Sequence, residues 1–181
     1  GGISLITDAN ATTIALNDGT GTFSLSTAEL QFLASTGTVT IGTGSGSGAI
    51  NIGSAGAITL ASEGFNLSLI GASSNVVFNN GITLLTDGAM TFTIGSGTIL
   101  STGGAAADIA IAGTTGTILF TSSGAIGATG ARLLTAVDRL GASTIGGDTF
   151  ITNDTTIDIN GAFAVAGNDF ILEAGGGGNI T

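Results

Sequence analysis

The stretch Ile50-Asn51-Ile52-Gly53-Ser54-Ala55-Gly56-Ala57-Ile58-Thr59-Leu60 shows the pattern that recurs along the whole chain. Two short segments in it, Ile50–Ile52 and Ile58–Leu60, alternate apolar and small polar residues. Successive side chains of a β-strand point to opposite faces, so each segment predicts a strand with one apolar face and one polar face. The segment between them, Gly53–Ala57, has little side-chain bulk and predicts a sharp turn. Strands this short bury an apolar face only by stacking on other strands like themselves.

Segments with the same alternation recur along the chain. They are Phe23–Leu25, Val39–Ile41, Phe65–Leu69, Ile82–Leu84, Met90–Ile94, Ile109–Ile111, Ile157–Ile159, Phe163–Val165 and Phe170–Leu172. The spacing of two, with β-branched residues and Phe in the apolar positions, favours strands over helices. The segment Gly97-Thr98-Ile99-Leu100 returns as Gly116-Thr117-Ile118-Leu119, nineteen positions later. A period of roughly 20 residues built from strands predicts an all-β chain, a single-stranded parallel β-helix (β-solenoid) of about nine coils that spans 1–181 as one segment.

The composition fits such a solenoid. Ile, Leu, Val and Phe are expected to fill a dry interior in which the 9 Phe residues form short stacks. Asn and Asp are expected at the corners of the coils, where they tolerate left-handed backbone conformations. Pro is absent, as expected when nearly every backbone N–H donates to a ladder.

One segment, Ala128–Ser143, departs from the strand pattern. Its larger apolar residues fall at helix-like spacing, namely Leu133, Leu134, Val137 and Leu140. Both arginines of the chain also lie here. The segment is therefore either a short helix that caps or interrupts the solenoid, or a variant coil with a surface contact between Arg139 and Asp138. The second interpretation is preferred.

Charge limits the partners. The chain has 2 Arg and no Lys against 12 acidic residues, for a net charge of −10. Because nucleic-acid binding needs clustered basic residues, no nucleic-acid partner is expected. The same balance disfavours an anionic membrane surface, and no apolar run approaches the ~18 residues of a transmembrane helix, so no membrane insertion is expected. The absence of Cys excludes disulfides. The chain opens with Gly-Gly-Ile, in mid-pattern, and is expected to be part of a longer protein.

The strands of the Gly-Ala-Ile-Thr-Leu type resemble the passenger repeats of filamentous-haemagglutinin-like bacterial adhesins. So do two longer stretches, one of Leu134–Thr144 followed by Phe150–Asn153, and one of Ala166–Leu172. These adhesins are large surface proteins exported by two-partner or autotransporter routes. The resemblance implies a right-handed parallel β-helix, an extracellular location on the bacterial cell surface, and a structural or adhesive role. It implies no catalytic residues in this region.

The inventory of side chains disfavours an enzyme. Without His, Cys or Lys, the usual nucleophile and base pairs cannot be built. Two carboxylate pairs, Asp154 with Asp158 and Asp169 with Glu173, are each four residues apart. On one strand that is about 13 Å, beyond the roughly 5–9.5 Å that glycoside hydrolysis uses. A catalytic pair formed by carboxylates of two adjacent coils, rather than of one strand, remains an alternative. The chain is predicted to be no enzyme, with no catalytic, cofactor-binding or metal-binding residue and no cofactor.

Segments of the sequence partly match two other kinds of binding site, one for calcium and one for ice. Gly167–Leu172 and the later Gly175–Gly178 are weakly similar to a calcium-binding nonapeptide repeat, but a single copy cannot form shared half-sites, so a corner Asp is preferred. Thr38-Val39-Thr40 and Thr91-Phe92-Thr93 have the spacing of an ice-binding face but do not recur at one period. Ordinary outward threonines on strands explain them.

The sequence therefore predicts a stiff structural stalk of an extracellular surface fibre or adhesin. Its expected partners are copies of itself or neighbouring repeats of the same protein, with a host or cell-surface glycan or protein as a further candidate. The alternatives are a glycan-binding or glycan-cleaving module on the same scaffold, and a flexible Gly-rich linker. The absence of Trp and Tyr disfavours the glycan alternative.

Overall fold

The computed structural model describes residues 1–17, 19–33, 35–102, 107–166 and 169–181. In this part of the chain it has eighteen β-strands and one short helix, α1 (Thr27–Gln31). The first sheet has seven strands, in the order β1 (Ile3–Leu5), β4 (Thr38–Thr43), β7 (Asn66–Gly71), β10 (Ala89–Ile94), β13 (Thr117–Ser122), β15 (Arg139–Ile145) and β17 (Asp158–Val165). The second has five strands, in the order β11 (Ile99–Ser101), β8 (Val76–Phe78), β5 (Ile50–Ile52), β2 (Ile14–Leu16) and β3 (Phe23–Leu25). The third has six strands, in the order β18 (Phe170–Ala174), β16 (Thr149–Asn153), β14 (Leu133–Ala136), β12 (Ile109–Ile111), β9 (Ile82–Leu84) and β6 (Ile58–Thr59).

From β4 to β12 the chain passes through the three sheets in turn, and from β13 to β18 its strands alternate between the first and third sheets. Strands β4, β5 and β6 lie in the first, second and third sheets, and β7, β8 and β9 repeat that order. The strands of each sheet pair in parallel, as β4 does with β7 and β5 with β8. The prediction of an all-β chain built from parallel strands is confirmed, and the architecture is compatible with a β-helix.

The advance from one strand to its neighbour in the first sheet is not constant. The successive partners along one row are Ile3, Val39, Leu67, Met90, Ile118, Leu140 and Ile159. The advance is 36 residues at the start of this row and 19 at its end. The estimate of about nine coils assumed a constant 20 residues, whereas the first sheet has seven strands. The turns between strands differ in length, which a fixed period cannot represent.

The nineteen-residue repeat relates strands of different sheets. Ile99 in β11 pairs with Val76 in the second sheet, whereas Ile118 in β13 pairs with Met90 in the first. The similarity of the two segments therefore does not measure one turn of the chain. It arises because the same short alternating strand suits more than one sheet.

The apolar sides of the three sheets meet in one buried cluster that extends along the chain from Ile14 to Ile157. Residues in register stack directly on one another. The rings of Phe92 and Phe120 are stacked with centroids 5.2 Å apart, and Phe78 meets Phe92 edge-on at 6.2 Å. The predicted interior Phe stack is confirmed at these positions, where pairs of rings gain attraction beyond the area they bury.

The interior is not dry throughout. In the third sheet the buried row continues from Ile109 to Thr135 and then to Asn153, and both polar residues are fully buried. Asp108 is buried as well. The prediction of an interior filled by Ile, Leu, Val and Phe is wrong at these positions. Buried polar groups are stable there because neighbouring backbone and hydroxyl groups supply hydrogen bonds.

Two corners carry non-glycine residues with left-handed backbones. Asn17 has a φ of 52° and Asp87 a φ of 57°. Asn and Asp adopt this region more readily than other non-glycine residues because their short polar side chains bond locally. The prediction for corner Asn and Asp residues is confirmed at these two positions.

The segment Ala128–Ser143 forms strands, so the helix interpretation is wrong. It contains an antiparallel bridge between Ala128 and Ala131, then β14 and the start of β15. Within the described residues, the ion pair is Arg132 with Glu173, at 2.7 Å, rather than the expected Arg139 with Asp138. The side chain of Asp138 accepts a hydrogen bond from the Gly116 backbone N–H at 2.9 Å. The variant-coil interpretation describes the segment better, without its ion pair.

The helix α1 was not expected from the strand pattern. The Ser26 hydroxyl accepts from the Glu29 N–H at 3.2 Å, and the Glu29 carboxylate accepts from the Ser26 N–H at 2.8 Å. This reciprocal capping box starts a helix. Its residue Gln31 donates to the Thr59 carbonyl at 2.8 Å, so α1 lies beside β6, the edge strand of the third sheet. Among the described residues, no helix has the length and hydrophobicity of a transmembrane span.

Candidate functional site

The described structure has an open groove of about 770 Å³. It lies at the downstream ends of the first-sheet strands, where each strand bends into its following turn. The lining residues come from β7, β10, β13, β15 and β17 and from the residues just after them, together with Gly44, just after β4. With strands about 4.8 Å apart, the groove extends for about 19 Å across five strands. A volume of this size is typical of ligand-binding clefts.

One side of this groove is a row of residues in strand register. Thr93 pairs with Thr121, and Thr121 pairs with Thr144. All three side chains are exposed. Ile70 continues the row on one side of these residues, and Ala164 continues it on the other. This row therefore carries three threonine hydroxyl groups, one on each of three successive strands, and each can both donate and accept a hydrogen bond.

The other side of the groove is a row of small residues, namely Ala72, Gly95, Ser123, Gly146 and Ala166. Successive turns pass very close together here. A Cβ atom placed on Gly95 would collide with the Ala72 carbonyl, and one on Gly146 would lie 2.9 Å from the Ser123 backbone. The Ser123 hydroxyl donates to the Gly95 carbonyl at 2.7 Å. Because the backbones of successive turns pack this closely, only small residues fit on this side of the groove.

The groove is neutral. None of its described lining residues is charged, although the chain carries 12 acidic and 2 basic residues. Its one aromatic residue among those described, Phe163, is partly buried and packs against Phe170 with ring centroids 4.7 Å apart. The surface therefore offers hydroxyl groups and small apolar groups, without an ionic contact for a charged ligand.

The sequence did not reveal the threonine row. Thr93 and Thr121 are 28 residues apart, whereas Thr121 and Thr144 are 23 apart. A search at one period misses them. The two threonine motifs considered for ice binding do not form one continuous row, since Thr40 faces Ser68, Ser68 faces Thr91 and Thr91 faces Leu119.

The four carboxylate residues considered for catalysis lie between the turn before β17 and the end of β18. Glu173 pairs with Arg132. The Asp169 N–H donates to the Asp148 carboxylate at 3.2 Å. Asp158 begins β17 opposite Arg139, while Asp154 lies in the turn before that strand. The absence of catalytic residues remains a prediction.

In the described part of the chain, no group of three or more His, Cys, Asp or Glu residues is placed to hold a metal ion. Of the segment considered for calcium, Gly167 and Asn168 lie outside the described residues. The Gly178 N–H donates to the Gly175 carbonyl at 2.8 Å, which closes a turn in the later glycine segment.

Asp108 is the buried carboxylate among the described residues. Burial raises its pKa, while hydrogen bonds from the Leu134 N–H at 2.8 Å and the Ser101 hydroxyl at 3.1 Å act in the opposite direction. Desolvation disfavours the charged form of a carboxyl group. The contacts of Asp108 are to backbone and hydroxyl groups, which fits a structural role.

The pKa of Asp87 is shifted in the opposite direction to that of Asp108. Its carboxylate accepts from the N–H groups of Thr114 and Thr115, each at 2.7 Å, and these bonds lower its pKa. The side chain holds the next turn of the chain, since its partners follow β12 whereas Asp87 follows β9. This is a corner carboxylate that joins successive turns.

Comparison with known proteins finds no family model that matches this sequence, no curated protein that matches it and no solved structure that matches the fold.

Proposed function

We propose that this chain is a stiff structural segment of an extracellular bacterial surface fibre or adhesin, built as a right-handed parallel β-helix. The observation that carries the proposal is the repeated passage of the chain through three parallel sheets around one buried cluster. Parallel crossover connections within a sheet are nearly always right-handed, which supports the handedness. Each turn contacts mainly its neighbours, as in a solenoid.

The shape suits a spacer. The first sheet has seven strands, so six steps of about 4.8 Å give a rod about 29 Å long. Interior rows continue from strand to strand, and side chains such as Asp87 bond adjacent turns together. A rod held in this way resists bending and offers proteases few loose segments. The chain inventory, without His, Cys or Lys, supports a mechanical role rather than a catalytic one.

The proposed partners are neighbouring repeats of the same protein or further copies of this chain. In the described structure β1 and β17 are the outer strands of the first sheet, and β3 and β18 are outer strands of the other two. An outer strand presents backbone N–H and C=O groups that another strand can pair with. The Ile159 N–H of β17 already donates to the Thr181 carbonyl at 3.1 Å, whereas Ala162 lies further along this outer strand and is exposed. A charge placed at Ala162 would oppose such pairing.

Surface labelling tests the location. Antibodies raised against the purified chain should bind intact, unpermeabilised cells of the organism that encodes it, while antibodies against a cytoplasmic protein should not. Labelling that requires permeabilisation would contradict the surface role.

Association is tested separately on the purified chain by sedimentation. Ala162→Lys should lower the mass of the assemblies without changing the circular dichroism spectrum. A monomer at all concentrations in the unmodified chain would contradict the pairing of outer strands. A glycan-binding role on the same scaffold is the second candidate, and the observation that favours it is the neutral groove.

A further inference from the structure

We propose that the groove along Thr93, Thr121 and Thr144 binds an uncharged linear glycan. This role goes beyond that of a spacer and depends on the groove alone. The groove is long and open, and it crosses five strands. Such a surface fits an extended polymer better than a compact small molecule.

The spacing of the hydroxyl groups suits a repeating ligand. Strand register places Thr93, Thr121 and Thr144 one above another, at steps of about 4.8 Å. A pyranose unit in an extended chain is similar in length to one such step, so the groove accommodates about four units. Sugar hydroxyls both donate and accept hydrogen bonds, as threonine hydroxyls do.

Charge separates the candidate ligands. No described lining residue is charged, so an anionic glycan would find no counter-charge, and the net charge of −10 repels it. A cationic polymer would find no carboxylate in the groove. An uncharged glycan has no ionic group to compensate, and its apolar ring faces match the small apolar groups of Ile70, Ala72 and Phe163.

Other polymers fit less well. An extended peptide binds a sheet by adding a strand to an open edge, whereas this groove lies on the outer face of strands that are already paired on both sides, such as β10 and β13. Nucleic acid needs basic residues, and the described lining has none. A second copy of the chain is the remaining occupant, which the experiment distinguishes.

The experiment titrates the purified chain with neutral β-linked gluco- and manno-oligosaccharides of two to eight units and follows amide chemical shifts by NMR. Polygalacturonate and heparin oligosaccharides are the anionic comparison. The affinity for a neutral ligand should increase with length up to about four units, and binding should shift amides along the groove. Thr121→Val and Thr144→Val should each weaken that binding about fivefold, as expected for one lost hydrogen bond.

The matched control is Thr38→Val. Thr38 is an exposed threonine on the same sheet, and it is outside the groove lining. Its substitution should leave affinity unchanged, and circular dichroism should show all three variants folded. A fourth variant, Thr121→Arg, fills the middle of the groove and should abolish binding.

Four results would each overturn the proposal. They are no shift with any neutral oligosaccharide at millimolar concentration, equal binding by wild type and the two groove valine variants, stronger binding of the anionic ligands, and self-association that Thr121→Arg removes while no glycan binds. The last result would identify a second copy of the chain as the occupant. None of the four bears on the surface-labelling test.

Discussion

The side-chain nitrogen of Asn153 donates a hydrogen bond of 3.1 Å to the carbonyl oxygen of Val137, and both residues are buried. The Asn153 side-chain oxygen accepts from the Thr135 hydroxyl at 2.7 Å and from the Val137 N–H at 3.1 Å. The same nitrogen also donates to the Thr155 carbonyl at 2.8 Å. One amide therefore joins two successive turns of the chain inside the core.

Replacing this amide should be costly. Asn153→Leu keeps a similar volume but leaves the Thr135 hydroxyl and the Val137 N–H without their buried acceptor. We expect the free energy of unfolding to fall by about 2–4 kcal/mol. Urea denaturation followed by circular dichroism measures the change. The control is Asn51→Leu, on the outward side of β5, which should change stability by less than about 1 kcal/mol. Equal costs at the two positions would contradict the buried network.

Asp108 predicts stability that declines as pH rises. Its pKa in the folded chain is raised by burial, so its contribution is fully present below the unfolded pKa and is lost as pH rises through the folded pKa. In Asp108→Asn the uncharged amide keeps an oxygen that accepts from the Leu134 N–H, and its NH2 group faces the Ser101 hydroxyl as a donor rather than an acceptor. The Tm of the variant minus that of wild type should therefore increase from pH 3 to pH 7, measured by circular dichroism. A difference independent of pH would contradict this expectation.

Asp87 predicts the opposite slope. Its pKa is lowered by the Thr114 and Thr115 N–H groups, so its contribution is present above the unfolded pKa and is lost as pH falls through the folded pKa. The Tm of wild type minus that of Asp87→Asn should therefore decrease on acidification below about pH 4. The same thermal scans test both aspartates. When both differences are taken as the Tm of wild type minus that of the variant, the difference should fall with rising pH for Asp108 and rise with rising pH for Asp87. A change in the same direction for both would contradict one of the two assignments.

Local alternation predicted much of the fold, because it depends on neighbouring residues alone. Segments such as Ile82–Leu84 and Phe170–Leu172 are strands, as predicted. The turn lengths between strands do not follow one period. The estimate of about nine coils therefore does not match the seven strands of the first sheet, and the threonine row of the groove was not obtained from the sequence. Asn153 was missed although it lies two residues after Ile151, on the same side of its strand. Because Asn is polar, a pattern based on alternating apolar residues does not identify it as a buried residue.

The helix α1 was also missed, because its five residues are too short for a helical apolar pattern. The sequence feature that marks this helix is the capping box of Ser26 and Glu29, which a search for alternating strand patterns does not detect. The neutral groove could not be predicted either. It depends on which residues of different turns lie side by side, and that register is set by loops of unequal length.

The contact of α1 with the third sheet gives a final prediction. Leu30 is fully buried and is the residue by which α1 packs, whereas Phe32, just after the helix, is 83% exposed. Leu30→Ala should lower the free energy of unfolding by about 2–4 kcal/mol. It should also increase light scattering, because loosening α1 uncovers the β6 edge. Phe32→Ser should leave stability within about 0.5 kcal/mol and reduce scattering. If Leu30→Ala leaves both stability and scattering unchanged, α1 does not protect that edge.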